Sequence, residues 1–159
     1  MRIKPDFNLN SIFDIKEEEL LARGIKCVFF DLDSTVMQSK TGKFTEETLE
    51  FLNRLSKNFK IAIVSNNCKK HYINMVEEQC DIKIYSNAKK PDTKVLKLAC
   101  REFNIDEKEA CMVGDRPLTD ILAGKKANMT TILVDSISKD KEGPLTRFVR
   151  FLERLTIRK

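Results

Sequence analysis

The sequence predicts an α/β chain in which a parallel sheet is covered by helices on both faces. Three observations predict it. Short buried-looking apolar runs recur near residues 25–31, 60–65, 82–85, 110–114 and 130–134. The stretches between several of them carry apolar residues at helical spacing, so strands and helices alternate along the chain. Acids, hydroxyls and turn formers follow directly behind the runs, at the carboxyl ends of strands where an open α/β sheet collects its ligands. At 159 residues, with no internal repeat, low-complexity stretch or interdomain linker, the chain reads as one domain, 1–159, long enough for an independent core.

The first run, Ile25 to Phe30, ends in Asp31-Leu-Asp33-Ser-Thr35. Two unpaired carboxylates are costly to bury, and alternation along a strand end points Asp31 and Asp33 the same way. A divalent cation with a phosphorylated ligand accounts for both, because Mg²⁺ takes one or two carboxylates together with phosphate and water oxygens. An acidic turn capping the next segment is the competing explanation. Thr45 to Lys57 follows as a helix with Leu49, Leu52 and Leu55 on one side, and Ile61–Val64 is a strand that ends in Ser65-Asn66-Asn67. Lys90 precedes Pro91, which favours an extended residue before it and a helix start after it, so its ammonium is expected at a strand-to-helix junction. Val95, Leu96, Ala99 and Phe103 mark the helix from Thr93 to Phe103. Asp106 with Glu109 has the spacing of a capping box, opening a short turn before Ala110–Val113. That strand leads into Gly114-Asp115, with Asp120 five positions on.

DxDxT, a strand-end serine, Lys-Pro and GDxxxxD occur here in an order and spacing that resemble the haloacid dehalogenase-like (HAD) superfamily, from about Ile25 to Val134. Ser11-Ile-Phe-Asp-Ile15, Val64-Ser-Asn-Asn67, Ala88-Lys-Lys-Pro91, Gly114-Asp-Arg-Pro-Leu-Thr-Asp120 and Thr131-Ile-Leu-Val134 further resemble YqeG-like HAD phosphatases, relatives of phosphatidylglycerophosphate phosphatases. The resemblance implies a Rossmann-like HAD fold and a Mg²⁺-dependent phosphate-monoester hydrolase acting through an aspartyl-phosphate. A phosphorylated substrate follows, with phosphatidylglycerophosphate as one candidate.

A carboxylate can attack phosphorus and divide one displacement into two easier ones; Asp31 matches that nucleophile. Asp33 is placed to protonate the leaving oxygen and then deprotonate the attacking water. A halide leaving group needs no such acid, so Asp33 favours phosphoester hydrolysis over carbon–halogen cleavage. Thr35, Ser65 and Asn66 are expected to bind phosphoryl oxygens, with Lys90 neutralising charge during in-line transfer. Asp31, the main-chain carbonyl of Asp33 and Asp115 are the expected Mg²⁺ ligands, with Asp120 supporting the metal or its waters. Two other readings stand beside the enzyme: a phospho-accepting signalling domain, and a binding or scaffold protein on the same fold.

The intervals Thr35–Ser65 and Ser65–Lys90 are too short for a large cap domain, so the site is expected to be open, with Val36 to Phe44 as a small flap. Cys27, Cys100 and Cys111 lie in apolar patterns and read as core. The five cysteines suggest neither a disulfide framework nor a zinc site. Cys68 is expected to pack, and His71, the only histidine, to face solvent. The formal charge of +5 is modest, and no nucleic-acid-binding signature accompanies it. No apolar run approaches a membrane span, so a cytoplasmic protein is expected, with peripheral contact to anionic membrane as an added possibility. In the tail, Arg147, Arg150, Arg154 and Arg158 form one helical stripe opposite Leu145, Phe148, Val149, Leu152 and Leu155. The expectation is a closing helix whose apolar face docks on the protein and whose arginines stand in water, free to meet anionic lipid; the alternative is an interfacial helix that brings the open site to anionic lipid. Oligomeric state is not readable.

Overall fold

In the computed structural model, which describes residues 2–157, all five predicted runs are strands. The elements in chain order are β1 (Phe7–Leu9), α1 (Glu17–Ala22), β2 (Cys27–Phe30), α2 (Glu46–Leu55), β3 (Lys60–Val64), α3 (Lys70–Glu77), β4 (Lys83–Tyr85), α4 (Lys94–Glu102), β5 (Ala110–Gly114), α5 (Leu122–Lys126), β6 (Thr130–Val134) and α6 (Pro144–Arg154). The strands form one parallel sheet in the order β1-β6-β5-β2-β3-β4. Strand β1 is the addition to the expected set. It has three residues at the sheet edge, none fully buried, so it carries no continuous apolar run.

Period-two alternation sorts the side chains of the central strands between two cores. Val28 and Phe30 of β2, Ile61 and Ile63 of β3, and Cys111 and Val113 of β5 pack with Leu20, Phe51, Leu52, Leu55, Ile73 and Val76 from α1, α2 and α3. Cys27, Phe29, Ala62, Val64 and Met112 point the other way, onto Leu96, Ala99 and Cys100 of α4 and Ala123 of α5. This is the division that right-handed crossovers dictate. Connections running from β1 towards β4 cross one face, and those returning to β5 and β6 cross the other. The chain reverses direction between β2 and β5, so the crevice opens beyond the ends of these two neighbours.

Local signals match the elements they predict. Thr45 caps α2 by accepting from the Thr48 amide, and Asp106 with Glu109 forms the full capping box ahead of β5. The stripe on α2 is centred on Phe51, Leu52 and Leu55, with Leu49 only half-buried. Cys27, Cys100 and Cys111 are buried, while Cys68 is exposed and so has no packing role; His71 is exposed as expected. Between Thr35 and Ser65 lie one loop and α2, and between Ser65 and Lys90 lie α3 and β4, so no large cap is inserted. Among the described residues no helix is long and apolar enough to cross a membrane.

The loop from Val36 to Phe44 is tied down at several points. Val36 and Met37 are buried, the Ser34 amide donates to the Met37 carbonyl, and the Ser39 amide donates to Ser138 Oγ. Further along, Gly42 donates to the Tyr72 hydroxyl, and Gln79, just beyond α3, bonds both Gly42 and Phe44.

The tail helix α6 reverses the expected orientation. Its arginines face the protein: Arg150 pairs with Asp115 and Glu142, and Arg154 reaches the Val134 carbonyl and Asp135. Glu153, also turned inward, receives a bidentate pair from Arg116. Leu145, Phe148, Phe151, Leu152 and Leu155 stand 46–75% exposed. The reason is local. Each sheet face already has its helices, whereas the sheet end beneath α6 carries buried carboxylates that require cationic partners. Arg158 of the predicted stripe lies outside the described residues.

Candidate active site

Lys90 is the hub of the crevice. Its ammonium, almost fully buried, donates to Asp31 Oδ1, Asp120 Oδ1 and the Val64 carbonyl, each at 2.7 Å. Asn66 fixes the lysine from the end of β3. Asn66 Oδ1 accepts from the Lys90 amide at 2.7 Å, and its Nδ2 donates to the Lys90 carbonyl at 3.1 Å. The following Lys90–Pro91 peptide is cis. Burial alone would lower the lysine's pKa, but the charges of Asp120 and Asp31 outweigh it and hold the ammonium protonated.

Asp31, Asp115 and Asp120 each bring one oxygen within 4.8 Å of the other two. Asp115 is anchored by Thr35, whose hydroxyl lies 2.9 Å from Asp115 Oδ1 and 3.3 Å from Asp31 Oδ2. The other Asp115 oxygen pairs with Arg150. Asp120 sits on a π-helical turn, Pro117–Ile121, and its second oxygen accepts from the Arg116 amide at 3.1 Å. Gly114 makes room for this: a Cβ there would overlap the Asp120 side chain. Burial, then the charge of Asp120, raises Asp31 to about 8 and also raises Asp115. Asp31 and Asp115, so crowded, need positive charge beside them to ionise. A set of hard oxygen donors at one point fits Mg²⁺.

Asp33 points into the same cavity, of about 470 Å³, but its carboxylate is not part of the three-acid cluster. It accepts from the Tyr72 hydroxyl at 2.6 Å and from Asn67 Nδ2 at 3.3 Å. Burial and the bond to Asp33 push the Tyr72 phenol well above its ordinary range, so it stays a donor. Ser65 Oγ accepts from the Asn67 amide at 3.0 Å, which leaves its own proton free to donate.

The structure brings every sequence-predicted residue to one crevice, where two of them already have protein partners. The side-chain amide of Asn66 bonds the Lys90 backbone, and the buried Thr35 hydroxyl faces carboxylates. For a metal, Asp33 has its main-chain carbonyl to offer, since its carboxylate is held elsewhere. Sequence reasoning missed Tyr72, Asn67 as a partner of Asp33, and the wall contributed by Glu142, Thr146 and Arg150. Asn67 stood in the quoted Ser-Asn-Asn segment. Tyr72 and Arg150 had no local signal beyond their places on helices.

Residues 8–134 match the haloacid dehalogenase-like hydrolase family. The Bacillus subtilis (strain 168) protein named "Probable phosphatase YqeG" is 31% identical over 151 residues, 94% of this chain and 87% of that one. Phosphatidylglycerophosphate phosphatase 1 of Arabidopsis thaliana is 26% identical over 160 residues, 95% of this chain but 46% of that protein's length. Among solved structures, an uncharacterized protein from Listeria monocytogenes serotype 4b superposes with a TM-score of 0.59 at 17% identity, over 80% of this chain and 99% of that one, which shows a shared fold. The acid cluster, the lysine hub and the family match agree, and the chain belongs to the haloacid dehalogenase-like hydrolases.

Proposed function

We propose that this HAD-family phosphatase removes phosphate from a monoester by transfer to Asp31, with Asp33 as general acid and base. The observation that carries the reading is Lys90, buried between Asp31 at the end of β2 and Asp120 on the turn that follows β5. A cation so placed neutralises the nucleophile's carboxylate and the incoming phosphoryl oxygens together. Asp31 would attack phosphorus in line while Asp33, oriented by Tyr72 and Asn67, protonates the departing alkoxide. Asp33 would then take a proton from the water that opens the aspartyl-phosphate. Ser65 has a free proton for a phosphoryl oxygen. Asp31, Asp115 and the Asp33 carbonyl would hold Mg²⁺, which supplies charge neutralisation at the transferring phosphoryl group. Asp120 and Asn66 position Lys90, and Thr35 positions Asp115.

For the substrate, we infer a large phosphoester, with phosphatidylglycerophosphate as the leading candidate. The uncapped crevice supports this, as does the Arabidopsis relative, whose name gives that lipid as its substrate. The test compares phosphate release from phosphatidylglycerophosphate, nucleotide monophosphates, sugar phosphates and p-nitrophenyl phosphate, with Mg²⁺ and with chelator. The reading expects Mg²⁺-dependent turnover of the aryl phosphate and a kcat/KM at least about tenfold higher for the lipid than for the other natural esters. Equal or better turnover of a small soluble ester would overturn the lipid assignment. No turnover of any ester would remove the enzyme reading in favour of a scaffold.

A further inference from the structure

Among the described residues, ten large apolar side chains are exposed, and six of them belong to one short segment: Leu145, Phe148, Val149, Phe151, Leu152 and Leu155. Scattered exposed apolar residues need no explanation, but a contiguous ridge of them marks an interaction surface. At 100° per residue they occupy one side of α6, and the opposite side is fixed to the protein through Arg150, Arg154 and Glu153. The helix is therefore held in place by its polar face with its apolar face outward.

Position and charge specify what covers it. The first turns of α6 are also a wall of the catalytic cavity, through Gly143, Thr146 and Arg150 on the side opposite the ridge, so whatever meets the ridge is one helix away from the cavity. Exposed cations surround the cavity mouth. Lys40 and Lys141 line the cavity, Lys139 is exposed in the adjoining turn with Asp140 between them, and Arg147 is bonded to the carbonyls of Lys139 and Asp140. A ridge of Phe and Leu flanked by lysine and arginine is the pattern of a helix lying in a bilayer interface.

We propose that α6 docks the protein on anionic bilayers, its apolar ridge inserted among the acyl chains and the Lys40, Lys139 and Lys141 cations on the headgroups. The orientation is the reverse of the one the arginine stripe suggests. The arginines serve the inside, and the lipid contact is apolar. Docking in this sense leaves the cavity on the far side of α6 from the inserted ridge, one helix diameter (~10 Å) away. It deepens the phosphatase reading by placing the substrate in a bilayer, yet it is measured without turnover.

Co-sedimentation of the full chain with vesicles of phosphatidylcholine alone, and of phosphatidylcholine with phosphatidylglycerol, tests it. The Asp31→Asn protein is run alongside to read binding apart from catalysis. Wild type and Asp31→Asn are expected to bind the anionic vesicles equally. Replacing Phe148 and Phe151 together by Ser should weaken binding at least about tenfold, with p-nitrophenyl phosphate hydrolysis and the thermal unfolding midpoint unchanged. Both side chains are exposed and outside the cavity, so the variant tests the ridge and not folding. Binding that survives the double substitution would overturn the proposal. So would absence of binding to either vesicle, or a dimer in analytical ultracentrifugation that the same substitutions dissociate without any vesicle binding by wild type.

Discussion

Arg150, on the last helix, presses its guanidinium against Asp115, an acid at the end of a strand 35 residues earlier. Asp115 is fully buried and Arg150 partly so, and the same guanidinium also engages Glu142. The guanidinium takes one Asp115 oxygen and Thr35 the other, so α6 supplies the positive charge that this buried acid needs.

Replacing Arg150 by Gln should therefore act in two directions. The metal-free protein should lose about 3 kcal/mol of stability, the usual effect of leaving one partner of a buried pair alone. Mg²⁺ should bind more tightly, since it no longer competes with a guanidinium. Urea denaturation without metal and calorimetric titration with Mg²⁺ measure the two effects. Unaltered Mg²⁺ affinity would show that the guanidinium and the cation do not share Asp115.

Stability of the metal-free protein should fall as pH rises from 5 to 8. Asp31 is raised to about 8 by burial and then by Asp120, and Asp115 is raised for the same reasons. Through this range the unfolded chain has already released protons that the folded chain retains, so deprotonation favours unfolding. Lys90 is raised as well, and its contribution is intact throughout because it begins to fade only above the ordinary lysine pKa. Mg²⁺ binding replaces the retained protons, so it should raise the melting temperature more at pH 8 than at pH 5. Thermal scans at both pH values check the sign.

Gly114→Ala should displace Asp120, because the added Cβ meets that side chain directly. A cost of about 1–3 kcal/mol is expected, together with loss of activity as Lys90 loses one of its two carboxylates. Denaturation curves and aryl phosphate turnover read the two effects.

The site was more legible in the sequence than its surroundings, for physical reasons. Asp31, Asp33, Lys90 and Asp115 sit behind apolar strands or at a fixed junction, and each breaks a local pattern. The five buried strands were equally plain, since continuous apolar runs have few alternatives. Strand β1 was hidden because an edge strand of three residues with none fully buried has no such run. The orientation of α6 was hidden for a different reason. Amphipathicity gives two faces but not which one is inside. The choice depended on Asp115, Asp135 and Arg116 lying beneath the helix, which only the assembled sheet end reveals. The bonds of Thr35 to Asp115 and Asp31, and of Asn66 to the Lys90 backbone, were not legible either, because spacing does not show which polar group a hydroxyl or amide meets.

Asp33→Asn should lower turnover by roughly 10²–10⁴, most for substrates with poor leaving groups and least for aryl phosphates, whose departing oxygen needs little protonation. Tyr72→Phe should cost about tenfold or less, since it removes one hydrogen bond that orients Asp33. Kinetics on a series of esters with graded leaving groups separates the two. Equal losses across the series would exclude Asp33 as the acid.

The account rests on attack by Asp31, and turnover of Asp31→Asn tests it most directly. Purified free of contaminating phosphatases, this variant should fold, should release no phosphate from p-nitrophenyl phosphate in Mg²⁺ above background, and should show no phosphoryl adduct on acid quenching. Turnover at the wild-type rate by a folded Asp31→Asn protein would contradict the account.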